Sequence, residues 1–193
     1  EAIRHSITKM SHLHFVAADP YKRRVIQLGE QPEHVFNVGG LGIDNIKKLK
    51  LLSLKELEKD LQFKFLDRNF IITFHPVTLE NNSSEEQMNE LLKSLDEFND
   101  LGLIFTMPNS DTNGRIIFKL IEDYCAIRTN AVWYRSLGQL RYLSCLKYVD
   151  AVIGNSSSGL LEVPSFKIPT VIIGDRQKGR LKAKSVIDCF PKY

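Results

Sequence analysis

Cysteine is scarce in this chain of 193 residues: Cys125, Cys145 and Cys189 are all it has, and no two of them form a C-x-x-C pair. That argues against a disulfide framework or a thiolate zinc site. It favours buried free thiols in a reducing compartment, the cytoplasm. Charge of one sign is also lacking, since 26 Lys and Arg against 23 Asp and Glu leave a net +3. A nucleic-acid-binding stripe needs far more, so the balance leaves room only for a local basic pocket facing an anion. No apolar run reaches membrane-spanning length and no signal peptide opens the chain. Neither nucleic acid nor membrane is therefore expected as a partner. The first residue is Glu1, inside a helical-looking pattern, so the sequence reads as part of a longer chain. What remains is an ordinary globular composition, 43% hydrophobic and 25% charged. The length suffices for one good core or one and a half small domains.

Strand-like and helix-like patterns alternate almost to the end. The runs at 13–18, 34–39, 70–74, 101–107, 131–134, 150–154 and 169–174 read as strands, several of them apolar on both faces. Two-sided burial is what a parallel sheet covered by helices demands. Between them, Ser53 with Glu56 and Ser83 with Glu86 have capping-box spacing ahead of helical runs. Further helices are expected at 20–28, 113–124 and 137–147. The rhythm predicts an α/β fold with a doubly wound, Rossmann-like parallel sheet. The stretch 41–69 is less regular and rich in lysine and leucine. It suggests residues 1–40 as the tail of one domain, 41–52 as a linker and 53–193 as most of a second domain.

In such sheets ligands sit at the carboxyl ends of the strands, so the loops there matter most. In "FHPVT" His75 follows an apolar strand, and Pro76 forbids the strand's continuation inside a sheet. An exposed histidine there can titrate near neutral pH or neutralise a phosphate; a loop histidine bonded to nearby backbone explains it equally well. In "MPNSDTNG" Asn109 is the best ligand candidate, while Asp111 and Thr112 read as turn and cap residues. Ser136 and Leu137 follow a strand, and their backbone can meet the edge of a flat heterocycle.

"GNSSSGLLE", 154–162, raises the sharpest question. Ser156 and Ser157 with Ser158 would open a helix whose free N–H groups and dipole favour an anion. Gly159 would let a ligand approach the backbone. Glu162, about two turns on at 3.6 residues per turn, suits ribose hydroxyls. The stretch lacks the G-K-[ST] of a Walker loop and is no G-x-G-x-x-G fingerprint. By itself it reads as a capping serine cluster about as well as a phosphate cradle. In "GDRQKGR" Arg176 is the ligand-like fork, and Lys178 reads as an exposed loop cation. His12 and His14 lack metal-like partners and read as packing residues.

Taken in order, "RHSITK", "FHPVT", "MPNSD", "GNSSSG", "EVPSF" with "IPT", and "GDRQKGR" resemble the hydrolysing UDP-N-acetylglucosamine 2-epimerases of sialic-acid-type sugar synthesis. The resemblance spans essentially the whole chain. It implies the C-terminal half of a two-domain, glycosyltransferase-B-like architecture. It implies conversion of UDP-N-acetylglucosamine and water to UDP and N-acetylmannosamine: loss of the C2 proton and of UDP gives a glycal, and water then adds with inversion at C2. No cofactor and no metal is implied, and the full-length protein is expected to be a homo-oligomer. Carried over by residue, His75 and Arg4 become catalytic, and Asn109, Ser136, Leu137, Ser156, Ser157, Glu162 and Arg176 hold UDP. Lys167 stands where the motif often has glycine. The family's essential carboxylates fall before Glu1, so the 193 residues are expected to bind UDP and turn nothing over. Two rivals remain open at this point: a UDP-sugar-dependent glycosyltransferase of the same build, and a nucleotide-sensing module without catalysis.

Overall fold

The computed structural model describes residues 2–77, 83–98, 100–108 and 114–192. It divides into two compact units, Glu1–Leu49 and Lys50–Tyr193. The first holds α1 (Ala2–Met10), β1 (His14–Val16), α2 (Asp19–Gln27), β2 (Val35–Asn37) and α3 (Leu41–Lys48). β1 and β2 pair in parallel with His14 opposite Val35. His14, 7% exposed, is held by Glu30, whose other carboxylate oxygen takes the Lys9 ammonium at 2.5 Å. The Lys9 hydrogen bond is the main cause that lowers the Glu30 pKa. This is a packing histidine satisfied by a carboxylate, as the sequence suggests. The stretch read as a linker over 41–52 carries α3, with Lys47 and Lys48 at its favourable C-terminal end.

The second unit begins with α4 (Leu54–Leu61). Its Ser53 hydroxyl accepts from the Glu56 N–H, and the Glu56 carboxylate accepts from the Ser53 N–H at 2.8 Å. Then come β3 (Arg68–Thr73), α5 (Ser83–Asp96), β4 (Leu101–Thr106), α6 (Gly114–Ala126), β5 (Ala131–Tyr134), α7 (Gly138–Cys145), β6 (Ala151–Gly154), α8 (Ser158–Leu161), β7 (Thr170–Ile173) and β8 (Val186–Cys189). All six strands are parallel, in the order β5-β4-β3-β6-β7-β8. The chain winds outward from β3 through β4 to β5. It then returns to the other side of β3 and winds outward again. β3 and β6 are thus the neighbours at which the winding reverses, the place where such sheets open a crevice.

The core explains the order of layers. Ile72, Phe74, Leu101, Leu103 and Phe105 pack with Met88, Leu91, Leu92 and Leu95 of α5 and with Ile117, Ile121 and Tyr124 of α6. Ile71 and Ile104 are fully buried as well, so the central strands show apolar side chains to both faces. β8 is not among the expected strands. It lies at the sheet's edge with Ile187 57% exposed, and a half-solvated strand leaves a weak apolar signal.

β3 and β6 approach so closely that residue 154 has no room for a side chain. Gly154 has φ +135°, and a Cβ there would lie 2.0 Å from the Thr73 carbonyl oxygen. Only glycine serves at this backbone geometry.

Candidate functional site

The carboxyl ends of β3, β4, β5 and β6 enclose an open cleft of about 520 Å³, within the usual range for small-ligand sites. Thr73 and His75 reach it from β3, and Thr106, Met107 and Pro108 from β4. Arg135, Ser136 and Leu137 come from β5, and Ser156, Ser158 and Glu162 from the far side of the switch point. Loops 80 residues apart in sequence thus share one cavity. The fold does this by ending four parallel strands on the same edge.

His75, Ser136, Leu137, Ser156 and Glu162 line this cleft together. His75 is 8% exposed, which corrects the expectation of an exposed loop histidine. The cause is the residue after Gly154. Asn155, 0% exposed, accepts the His75 N–H on Oδ1 at 2.7 Å and donates Nδ2 to the His75 carbonyl at 2.8 Å. Ser157 adjoins the cleft through its neighbours but does not line it. Arg176 also stands behind it, with Nη1 donating to the Asn155 carbonyl at 3.0 Å. Lys178 pairs with Asp175 at 3.1 Å on the exposed surface, as its reading as a loop cation suggests. Arg4 is exposed and belongs to the first unit. Asn109, like Asp111 and Thr112, lies outside the described residues.

The serine loop differs from its sequence reading in three ways. First, α8 has only four residues. Pro164 has no N–H to offer an α-helix and a 3-10 turn, Val163–Phe166, follows instead. One turn carries almost no macrodipole, so the helix cannot be what favours an anion. Second, Glu162 is not two turns into a helix but one residue past its end, with φ −107°. It still lines the cleft. Third, Gly159 is buried, and a Cβ on it would meet Thr170 Cγ2 at 2.5 Å. That glycine serves the contact between α8 and β7, where the Thr170 hydroxyl bonds the Gly159 carbonyl at 3.0 Å. It is not an opening for ligand.

The serine loop still offers donors. The backbone N–H groups of Ser156 and Ser157 have no hydrogen-bond partner among the described residues, and neither has the Ser157 hydroxyl. Two successive N–H groups with adjacent hydroxyls form an anion-binding concavity without any help from a helix. Arg135 is the one Lys or Arg side chain among the described residues lining the cleft, so positive charge is sparse there. Glu162 is likewise their one carboxylate. The described residues hold no group of three or more His, Cys, Asp or Glu that could bind a metal ion, and no helix among them is long and apolar enough to cross a membrane.

Sequence reasoning missed Thr73, Thr106, Tyr142 and Asn155. Thr73 and Thr106 face each other in register, with their hydroxyls 2.5 Å apart in the cleft. The available signal was that "FIIT" and "LGLIFT" both end apolar strands on threonine. Tyr142 lines the cleft and hydrogen-bonds the Ser158 hydroxyl; burial pushes its phenol well above the ordinary tyrosine range. Nothing in the sequence of α7 distinguished it from a packing tyrosine.

A doubly wound parallel sheet with a polar cleft at its switch point is the build of nucleotide-binding α/β domains. The chain belongs to the UDP-N-acetylglucosamine 2-epimerase family, whose sequence profile matches residues 1–193. It is 46% identical over 189 residues to the GDP/UDP-N,N'-diacetylbacillosamine 2-epimerase (hydrolyzing) of Campylobacter jejuni, covering 97% of this chain and 49% of that protein. It is 47% identical over 193 residues to the polysialic acid biosynthesis protein P7 of Escherichia coli, covering 97% of this chain and 48% of that protein. The chain thus spans about half the length of the curated relatives it matches. Among solved structures, the S. aureus MnaA–UDP complex superposes with a TM-score of 0.68 at 17% identity, over 90% of this chain and 47% of that one. At that identity the likeness establishes the fold.

Proposed function

We propose that the cleft holds the uridine diphosphate of a UDP-activated N-acetylated sugar. The whole protein to which these residues belong then converts UDP-N-acetylglucosamine and water to UDP and N-acetylmannosamine. The observation that carries this reading is the convergence of His75, Ser136, Leu137, Ser156 and Glu162 on one cleft at the switch point, in a chain that matches the family over its full length. The Ser136–Leu137 backbone meets the base, and Glu162 accepts from the ribose hydroxyls. The N–H groups and hydroxyls of Ser156 and Ser157 bind the diphosphate, with Arg176 behind them. His75 sits where negative charge grows as UDP departs, so its catalytic part is to stabilise that charge. Asn109 and Arg4 keep their places as nucleotide and catalytic residues on the resemblance alone. Residues 1–40 are then the end of a preceding domain and 53–193 the nucleotide-binding half.

The name of the Campylobacter relative favours a second sugar, the 2,4-diacetamido analogue. Assaying UDP release and C2 deuterium uptake on both substrates with the whole protein decides between them. Binding tests the handle directly. Calorimetry on the 193-residue chain should find UDP bound at least tenfold more tightly than uridine, the gain expected of charge-assisted hydrogen bonds to phosphate. Ser157→Ala should weaken UDP by about tenfold and leave uridine unchanged, the loss of one such bond. Equal affinity for UDP and uridine would refute the diphosphate cradle. The isolated chain should release no UDP from either sugar nucleotide, since Glu162 is committed to the ribose and His75, at the departing phosphate, cannot also abstract the C2 proton.

A further inference from the structure

We propose that Asn155 is a positioning residue for this site: its side chain sets the placement of His75, and its carbonyl anchors the loop that carries Arg176. The inference rests on the reading of His75 as part of the UDP site. β3 and β6 pair in register only as far as Thr73 and Gly154. Beyond that point the sheet no longer holds the chain, and the Asn155 N–H makes one more bond, to the Thr73 carbonyl at 3.1 Å. The Asn155 carboxamide then takes the part of a missing strand. It accepts from the His75 N–H at 2.7 Å and donates to the His75 carbonyl at 2.8 Å. An amide is the short side chain with a donor and an acceptor side by side, so it alone pairs with a backbone in this way. Aspartate has the same shape but would turn an acceptor on the His75 carbonyl.

The other side of the same residue is equally committed. The Asn155 carbonyl takes Arg176 Nη1 at 3.0 Å and Gln177 Nε2 at 2.8 Å. Loops after β3, β6 and β7 therefore meet on one residue that is 0% exposed. Pro76 adds to the constraint, because the residue before a proline is confined to extended backbone. His75 is fixed by its neighbour in sequence and by a side chain 80 residues away. Asn155 is not among the residues lining the cleft, so it acts through His75 and Arg176 rather than on a ligand.

The test is a double-mutant cycle on the UDP affinity of the 193-residue chain, with Asn155→Ala, His75→Ala and both. Asn155→Ala should weaken UDP by about tenfold, and the double variant should match His75→Ala within about twofold, as expected when one residue acts through the other. A loss from Asn155→Ala of the same size with and without the imidazole shows a general structural role and overturns the proposal. So does no loss at all. Two measurements keep the question decidable if Asn155→Ala fails to fold. Asn155→Asp preserves volume and one of the two bonds, and should fall between wild type and His75→Ala; wild-type affinity would overturn the proposal. Hydrogen exchange on the wild type should find the His75 amide protected to the level of the β3 amides, and exchange at the rate of an open loop overturns it. Should the wild type take up no UDP, the proposed function fails. The clasp is then judged on the His75 imidazole resonances, which should be a single sharp set in wild type and broaden in Asn155→Asp; unchanged lines overturn it.

Discussion

Gly154→Ala perturbs the narrowest point of the fold, and its cost can be worked from the geometry. Residue 154 has φ +135°, and an added Cβ would lie 2.0 Å from the Thr73 carbonyl oxygen, where real Cβ atoms essentially never come within 3.0 Å. β3 and β6 must therefore separate locally by about 1 Å, the difference of those two distances, or the backbone must rotate. Holding alanine at such a φ costs about 1–3 kcal/mol. The Thr73 oxygen is also the acceptor for the Asn155 N–H, and losing a buried bond of that kind costs about 1–1.5 kcal/mol. Together these give about 3 kcal/mol, a large part of a stability of about 5–15 kcal/mol. For a unit of this size that corresponds to a fall in Tm of about 6–12 °C. Urea and thermal unfolding of the 193-residue chain, followed by far-UV circular dichroism, measure it. The substitution should also weaken UDP more than an equally destabilising core change such as Leu57→Ala, because it displaces Asn155. A Tm within about 2 °C of wild type would refute the reasoning, since it would mean that the two strands yield without strain.

Burial pushes the Cys125 and Cys145 thiols up to about 12, while Cys189, also raised by burial, is the exposed one of the three. At pH 8 an aromatic disulfide reagent should therefore modify one thiol quickly in the folded chain and all three only in denaturant; two fast thiols would contradict the burial. Lys167 has φ +61° at the end of the 3-10 turn, which gives a physical reason for glycine at that point of the motif. Left-handed backbone costs a lysine about 1–2 kcal/mol, against about 0.5–1 kcal/mol of extra chain entropy for glycine. Lys167→Gly should thus raise the unfolding free energy by a net of about 0.5–1 kcal/mol, seen as a slightly higher urea midpoint. A lowered midpoint would show that the lysine side chain stabilises the loop by more than its backbone costs.

The parts of this molecule legible in sequence are those set within a few residues. Alternating apolar strands, the Ser53–Glu56 cap and the order of the loops all depend on local pattern, and each appears in the structure. Edge strand β8 escaped because solvent on one side dilutes its apolar signal. The serine loop was misjudged for a related reason. "SSSGLLE" suggests a helix running about two turns to Glu162, yet Pro164 two residues further on already forbids it to continue as an α-helix. Glu162 lines the cleft from the residue just past the short helix, not from two turns into a long one. Gly159 looked like an opening for ligand, yet its missing Cβ is demanded by Thr170, eleven residues on. Asn155 was invisible in a stronger sense. Its partner His75 is 80 residues away, and no periodicity links the two. What links them is the strand order, which reverses at β3 and β6 and so brings these two loop starts together. A parallel sheet leaves unpaired backbone at that point, and a residue able to pair with backbone from its side chain is the natural way to satisfy it. The polar residue just past the strand at a switch point therefore deserves to be asked first about the neighbouring loop's backbone, and only then about a ligand.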